Sequence, residues 1–213
     1  MSDSDLAAAY AARQPVLKGL VARLEATTRE ALEEVPHIDR VCFRVKDPES
    51  FLRKAAKPKY DNPLVELEDQ VAGRVITFFR DDILVVRKHL TQWFGDVEHE
   101  VKEPHGPAEF GYESDHYVFV IAEHLKPEGW QELKDMPTTF ELQVRTLFMH
   151  AWAEPQHDLG YKTESEVDAR TRKELAWVAA SAWGADHTLN AIAHRLMTSS
   201  TEADGPTPEP STA

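Results

Sequence analysis

Alternating hydrophobic and polar residues predict five β-strands along this chain. Successive side chains of a strand point to opposite faces of its sheet, so a period of two indicates one buried and one polar face. The pattern occurs at 40–46, 71–79, 96–102, 115–122 and 139–145. These segments are typical strands of a half-buried sheet.

Helical spacing connects the strands and continues at both ends of the chain. Apolar residues recur every three or four positions in 6–35 and again in 166–197. A further helical pattern follows Leu147, and we expect it to break near Gly160. Strands interleaved irregularly with helices predict an α+β fold, with a mixed sheet of about five strands flanked by helices.

The same pattern divides the chain into four regions. We expect an N-terminal helical region at 1–36, a core at 37–163 and a C-terminal helical region at 164–197. The polar, proline-bearing tail at 198–213 lacks aromatic residues, and we expect it to be disordered.

Composition narrows the class of protein. The chain is 42% hydrophobic and 29% charged, as in ordinary globular proteins. It has no apolar run near the roughly 20 residues that a membrane span needs, and we expect no signal peptide. We therefore expect a cytoplasmic protein without a membrane partner. The net charge of −13 disfavours a broad nucleic-acid surface. The single cysteine, Cys42, excludes a disulfide framework, and its apolar surroundings predict a buried thiol.

Polar side chains concentrate on three of the predicted strands and beside them. Glu141, Gln143 and Arg145 share one face of strand 139–145 because they lie two residues apart. Two acids, Asp69 and Glu141, accompany a set of basic residues, which are Arg44, Lys46, Lys54 and Arg74. One or two carboxylates commonly hold Mg²⁺ together with substrate phosphates, and such cations bind phosphate. Spacing alone fits either a phosphate site or the solvated charges of an exposed sheet face.

In combination, these segments resemble the RelA/SpoT alarmone synthetases, and in length the small single-domain members. The resemblance covers residues 40–162. It rests on a basic strand and helix, an aspartate five residues before an arginine, a GYxSxH loop and an EIQIRT-like strand. Those motifs are matched by Arg44, Lys46, Ser50 and Lys54, by Asp69 and Arg74, by Gly111, Tyr112, Ser114 and His116, and by 141–146.

The resemblance implies a nucleotidyltransferase-like fold and a (p)ppGpp synthetase, which transfers pyrophosphate from ATP to the 3′-hydroxyl of GDP or GTP. It also implies Mg²⁺ as cofactor, with Asp69 and Glu141 as catalytic residues and metal ligands. The implied ATP-binding residues are Arg44, Lys46, Ser50, Lys54 and Arg74. The implied acceptor-binding residues are Tyr112, His116, Gln143 and His150. Small members often assemble through their C-terminal helices, so a homo-oligomer is expected.

Three departures from the family pattern put the acceptor in question. Glu113 stands where members commonly carry an arginine, residues 107–110 lack a usual lysine, and Gln156 replaces a glutamate. Fewer positive charges should weaken binding of a di- or triphosphate. Two alternatives therefore stay open. One is a toxic member that pyrophosphorylates tRNA 3′ ends or adenosine nucleotides; the other is a nucleotide-binding module without catalysis, against which the retention of Asp69 and Glu141 argues.

Overall fold

The computed structural model describes residues 2–95, 98–102, 110, 113–162 and 168–203, without the side chains of 156–162 and 198–203. Its helices are α1 (Asp3–Ala31), α2 (Pro48–Ala55), α3 (Pro63–Glu66), α4 (Arg80–Phe94), α5 (Leu147–Lys162) and α6 (Ala169–Ala203). Its strands are β1 (Ile38–Val45), β2 (Val71–Thr77), β3 (Glu98–Lys102), β4 (Ser114–Val120) and β5 (Thr139–Thr146). Short 3₁₀ turns occupy Glu68–Gln70, Glu123–Leu125 and Trp130–Glu132.

The five strands form one mixed sheet in the order β1-β2-β5-β4-β3. β2 and β5 are parallel, and the other neighbouring pairs are antiparallel. This architecture confirms the predicted α+β fold. The register gives the sheet one apolar face, which packs into the core, and one polar face. Cross-strand neighbours on the polar face include Arg44, Arg74, Glu141, Gln143 and His116.

Helix α1 covers the apolar core and closes one edge of the sheet. Its leucines Leu17, Leu20 and Leu24 are fully buried, so the helix is held mainly by the hydrophobic effect. Along the exposed edge of β1, the Phe43 N–H donates to Glu25 and the Arg29 guanidinium donates to the Val41 carbonyl. These side chains satisfy backbone groups that an unpaired edge strand would present to other chains.

Helix α5 ends at Lys162, two residues beyond Gly160, and α6 begins at Ala169, which fits the expected break near Gly160. Two other sequence expectations need correction. Helix α6 extends to Ala203, six residues beyond its expected end, and the first strong helix breakers, the pair at 205–206, come later. Residues 204–213 of the expected tail lie outside the described residues. Cys42 is exposed rather than buried, because it points to the polar face between Val41 and Phe43.

Within the described part of the chain, each helix is either too short or too polar to cross a lipid bilayer.

Candidate active site

The centre of the polar face is an ion-pair cluster around Asp69. Oδ2 of Asp69 lies 2.8 Å from Nζ of Lys46 and 2.9 Å from Nζ of Lys54. All three side chains are at least two-thirds buried, so these charges interact more strongly than exposed pairs do. The sequence-predicted acid and both predicted lysines therefore meet at one point.

Local structure explains why these residues converge. Asp69 lies in the 3₁₀ turn just before β2, and Lys46 just follows β1, the antiparallel neighbour of β2. The Lys46 N–H donates to the Gln70 carbonyl at 2.8 Å, which holds the two strand ends together. Helix α2 brings Lys54 over them, and Asp47 caps that helix by accepting from the Ser50 N–H.

Helix α1 supports this cluster from the core side. The Tyr10 hydroxyl donates to the Lys46 carbonyl at 2.8 Å, and the Tyr10 ring stacks on Phe51 of α2 with a centroid separation of 3.7 Å. Tyr10 is almost completely buried, and burial raises the pKa of its hydroxyl. The hydroxyl therefore stays protonated and remains a donor.

Glu141 is held by two donors on the same face. Its Oε1 accepts from Nε2 of Gln143 at 2.6 Å and lies 3.1 Å from Nδ1 of His116. Burial raises the pKa of Glu141, but the hydrogen bonds from His116 and Gln143 outweigh it and lower the value to about 2. Glu141 is therefore an anion at neutral pH.

Lys54 connects the two acids electrostatically. Burial lowers the pKa of Lys54, and the fields of Asp69 and then Glu141 more than offset it, so the net pKa is raised. Both carboxylates thus act on one ammonium group. The register supports the same side of the sheet: Asp69 lies just before β2, where Ala72 is the cross-strand neighbour of both Glu141 and Arg44, and Lys46 follows Arg44 on that face.

The donor set fits a magnesium ion completed by substrate. Oδ1 of Asp69 is buried without a hydrogen-bond partner among the described residues, which suits an oxygen that ligates a cation. Over the same residues, His, Cys, Asp and Glu side chains do not form any group of three that could hold a metal unaided. Mg²⁺ needs only one or two protein carboxylates when phosphate oxygens and water complete its octahedron.

A shallow pocket lies beside the cluster. Arg44 and Arg74 flank it on adjacent strands, with Cys42 and Gln143 on its walls. Gly73 also lines the pocket; an added Cβ there would lie 2.4 Å from the Phe43 ring and 2.7 Å from Leu142 in the core, so a larger residue at this position would disturb the packing beneath the pocket. Two planar guanidinium groups around an open slot suit a flat, aromatic ligand.

Glu154 is a site residue that the sequence did not single out. Its Oε1 accepts from Arg74 at 2.8 Å and from the buried Arg145 at 2.7 Å, and lies 3.9 Å from Nδ1 of His150. Burial raises the pKa of Glu154, but Arg74 and Arg145 more than offset this and lower it. Its only sequence signal was helical position: Glu154 lies four residues after His150, on the same face of α5.

Glu113 has a partner that the sequence did not reveal. Its Oε2 lies 2.8 Å from NH1 of Arg80, at the start of α4, and the same nitrogen lies 3.2 Å from Oδ2 of Asp186 on α6. The expected unfavourable charge of Glu113 is therefore compensated by Arg80. Sequence separations of 33 and 106 residues hid these contacts.

The remaining predicted residues are placed as follows. His150 is half-buried on α5; burial and the nearby Arg145 lower its pKa, so the imidazole is neutral at pH 7. Ser50 lies on α2, where its hydroxyl accepts from Arg53. Tyr112 lies outside the described residues. Asp69, Glu141 and eight of the nine predicted nucleotide-binding residues thus lie in the described part of the chain, on the polar face or on α2 and α5.

Comparisons with known proteins found a matching family model, a curated relative and solved structures of similar fold. The family model described as "Region found in RelA / SpoT proteins" matches residues 43–166. The GTP pyrophosphokinase YjbM of Bacillus subtilis is 28% identical over 160 residues, 73% of this chain and 72% of that protein. The crystal structure of small alarmone synthetase 1 from B. subtilis superposes with a TM-score of 0.67 at 24% identity, over 92% of this chain and 97% of that chain. Its complex with the product pppGpp gives 0.62 at 22% identity, over 84% and 94%.

Proposed function

Because the chain belongs to the family of RelA/SpoT proteins, we propose that it is a (p)ppGpp synthetase, a GTP pyrophosphokinase that uses ATP. The observation that carries this proposal is the convergence of Asp69, Lys46 and Lys54 beside Glu141 on one polar face. A relative of similar fold binds the product pppGpp, and a curated relative is a GTP pyrophosphokinase.

The donor nucleotide would bind across the Asp69 cluster and the neighbouring pocket. Arg44 and Arg74 would enclose the adenine between their guanidinium planes. Lys46 and Lys54 would then exchange part of their contact with Asp69 for the triphosphate oxygens, with Ser50 as a further donor. The buried lysines are ready to neutralise the charge of the polyphosphate.

Transfer would break the bond between the ATP β-phosphorus and the α–β bridging oxygen. The acceptor 3′-oxygen forms the new bond to the β-phosphorus and gives up its proton to solvent, and AMP leaves with the bridging oxygen. Negative charge grows on that oxygen, where the two lysines can stabilise it. Asp69 and Glu141 would hold Mg²⁺, which when bound supplies Lewis-acid neutralisation of the phosphates.

Glu141 would orient the acceptor hydroxyl. A carboxylate with a pKa of about 2 is a weak base, so it is suited to accepting a hydrogen bond from the 3′-hydroxyl more than to storing its proton. His116 and Gln143 fix the carboxylate in place from the acceptor side. His150 and Tyr112 would complete the acceptor site.

Two alternatives use the same donor site. Transfer to tRNA 3′ ends or to adenosine nucleotides was suggested by Glu113, yet Arg80 compensates that charge, which removes the main argument against a guanosine phosphate. A nucleotide-binding module without catalysis would not require two acids, Asp69 and Glu141, at neighbouring positions of one polar face.

One experiment separates these functions. Purified protein is incubated with γ-labelled ATP and Mg²⁺, and with GDP, GTP, AMP or deacylated tRNA in separate tubes. Label on guanosine nucleotides supports the proposal, whereas label on AMP or tRNA supports the first alternative. ATP binding without transfer to any acceptor supports the second alternative, a nucleotide-binding module without catalysis. A reaction with EDTA in place of Mg²⁺ should give no product.

Assembly through α6 is a further part of the proposal. This helix exposes Trp177 and Leu196, whose exposed fractions are 72% and 66%, and such apolar side chains suit contact with a second copy. Sedimentation velocity should therefore detect a species larger than the 24.1 kDa monomer.

A further inference from the structure

The C-terminal helix α6 is tied to the acceptor side of the site by a buried charge cluster. NH1 of Arg80 lies between Glu113 Oε2, at 2.8 Å, and Asp186 Oδ2, at 3.2 Å. We call these three residues the Arg80 cluster. It joins the start of α4, the residue before β4 and the middle of α6.

Two further contacts join the same elements. The backbone N–H of Asp81 donates to Oδ1 of Asn190 at 3.0 Å, so α6 also caps the first turn of α4. The ring of Trp183 meets the ring of Phe110 edge-on, with centroids 5.7 Å apart. Helix α6 therefore contacts Phe110 directly, and it is linked to Glu113 through Arg80.

Because the Arg80 cluster is largely buried, loss of one of its charges should destabilise the other two. Asp186 is 1% exposed, and burial raises its pKa, with Thr146 and Arg80 opposing that rise. Removal of the guanidinium would leave a buried carboxylate without its cation, an arrangement that proteins tolerate poorly. Glu113 would also regain an uncompensated negative charge next to β4.

We propose that Arg80 is a positioning residue that holds Glu113 and the start of β4 against α6, and thereby sets the affinity for the phosphorylated acceptor. This inference rests on the proposed function. Glu113 directly precedes β4, and β4 carries His116, which contacts Glu141 at 3.1 Å. Displacement of Glu113 would shift His116 along β4, and the uncompensated charge of Glu113 would repel an anionic acceptor.

The test measures KM for acceptor and for ATP separately in Arg80→Gln, Glu113→Gln and the double variant. Arg80→Gln should raise the acceptor KM by about 10-fold and leave the ATP KM within about twofold, because the coupling energy of contacting charges is of this order. The double variant should have a lower acceptor KM than Arg80→Gln, since the uncompensated Glu113 charge is gone, but a higher one than the wild type, since Asp186 still lacks its cation and α6 no longer holds β4. Arg170→Gln removes an exposed ion pair of α6 and should change neither constant.

Hydrogen exchange at the amides of 113–118 gives a second readout that does not depend on turnover. Exchange there should be faster in Arg80→Gln than in the wild type and unchanged in Arg170→Gln. An unchanged acceptor KM with unchanged exchange overturns the inference, as does an equal rise of both KM values with a lowered melting temperature. If the wild type labels no guanosine nucleotide, the proposed function fails, and the exchange comparison alone decides the linkage.

Discussion

The proposed donor and acceptor sides of the site are supported by opposite kinds of contact. On the donor side, α1 holds Lys46 and α2 through the buried ring of Tyr10, which stacks on Phe51. On the acceptor side, α6 holds α4 and the residue before β4 through the Arg80 cluster. The first support is mostly apolar and the second mostly ionic.

This difference has consequences for how each side responds to conditions. Apolar packing is nearly independent of salt and of pH, whereas ion pairs weaken with salt and with protonation. We therefore expect α1 to hold Lys46 and α2 in place over a wide range of conditions. The acceptor side should be the one that a change of pH, salt or contact with α6 can adjust.

The largest effect should come from the residue that both sides share. Glu141 accepts hydrogen bonds from the acceptor side and acts on Lys54 of the donor side. Glu141→Gln should lower turnover by about 10²- to 10⁴-fold, because it removes the carboxylate that we propose orients the reacting hydroxyl. ATP binding, measured by calorimetry, should persist.

A matched control for this variant is Glu132→Gln, which changes an exposed acid between β4 and β5. It should leave turnover and ATP binding unchanged. Normal turnover in Glu141→Gln would exclude Glu141 from the reaction. Loss of ATP binding together with turnover would assign it to the donor side.

The next largest effect should follow from truncation of Tyr10. Tyr10→Ala removes a fully buried ring and should lower the free energy of unfolding by about 3–5 kcal/mol. Tyr10→Phe keeps the ring and loses the hydroxyl that donates to Lys46, at a cost of about 0.5–1.5 kcal/mol. Urea denaturation measures both values.

Kinetics of Tyr10→Phe then sharpen the comparison. The variant should raise the KM for ATP and leave the acceptor KM unchanged, because only the Lys46 backbone loses its anchor. A raised KM for the acceptor with an unchanged KM for ATP would show that α1 supports the acceptor side. The apolar and ionic supports would then not correspond to the two substrates.

Lowering the pH should reveal how much the charge of Glu141 contributes to the free energy of unfolding. Its pKa is lowered from 4.5 to about 2 in the folded protein, so it adds stability above pH 4.5 that is lost as the pH falls from about 4.5 towards 2. The total is at most about 3 kcal/mol. Without magnesium, urea denaturation at pH 7, 5, 4 and 3 should show wild type and Glu141→Gln converging in stability. A constant difference over that range contradicts the assignment.

The sequence predicted local structure and motifs well but missed long-range partners. Alternation placed Glu141 and Gln143 on one face because a strand has a strict period of two. The same rule could have predicted that Cys42 is exposed to solvent. The apolar residues on either side of Cys42 suggested burial instead, although they point to the opposite face. The partner of Glu113 could not be inferred, since the contact with Arg80 depends on how α4 and β4 pack, and motif spacing carries no such information.

Glu154 offers the smallest and most discriminating test, because it touches both sides. Its Oε1 bridges Arg74, a proposed adenine contact, and Arg145, near His150. Glu154→Gln keeps an acceptor oxygen and loses the charge, so the cost should be about 0.5–1.5 kcal/mol, or roughly a 2- to 12-fold rise in KM. Because one oxygen serves both arginines, the KM values for ATP and for the acceptor should rise together, whereas Tyr10→Phe and Arg80→Gln should each move only one. A rise confined to ATP would mean that Arg145 and His150 hold their positions without Glu154, and the two sides would then be mechanically separate.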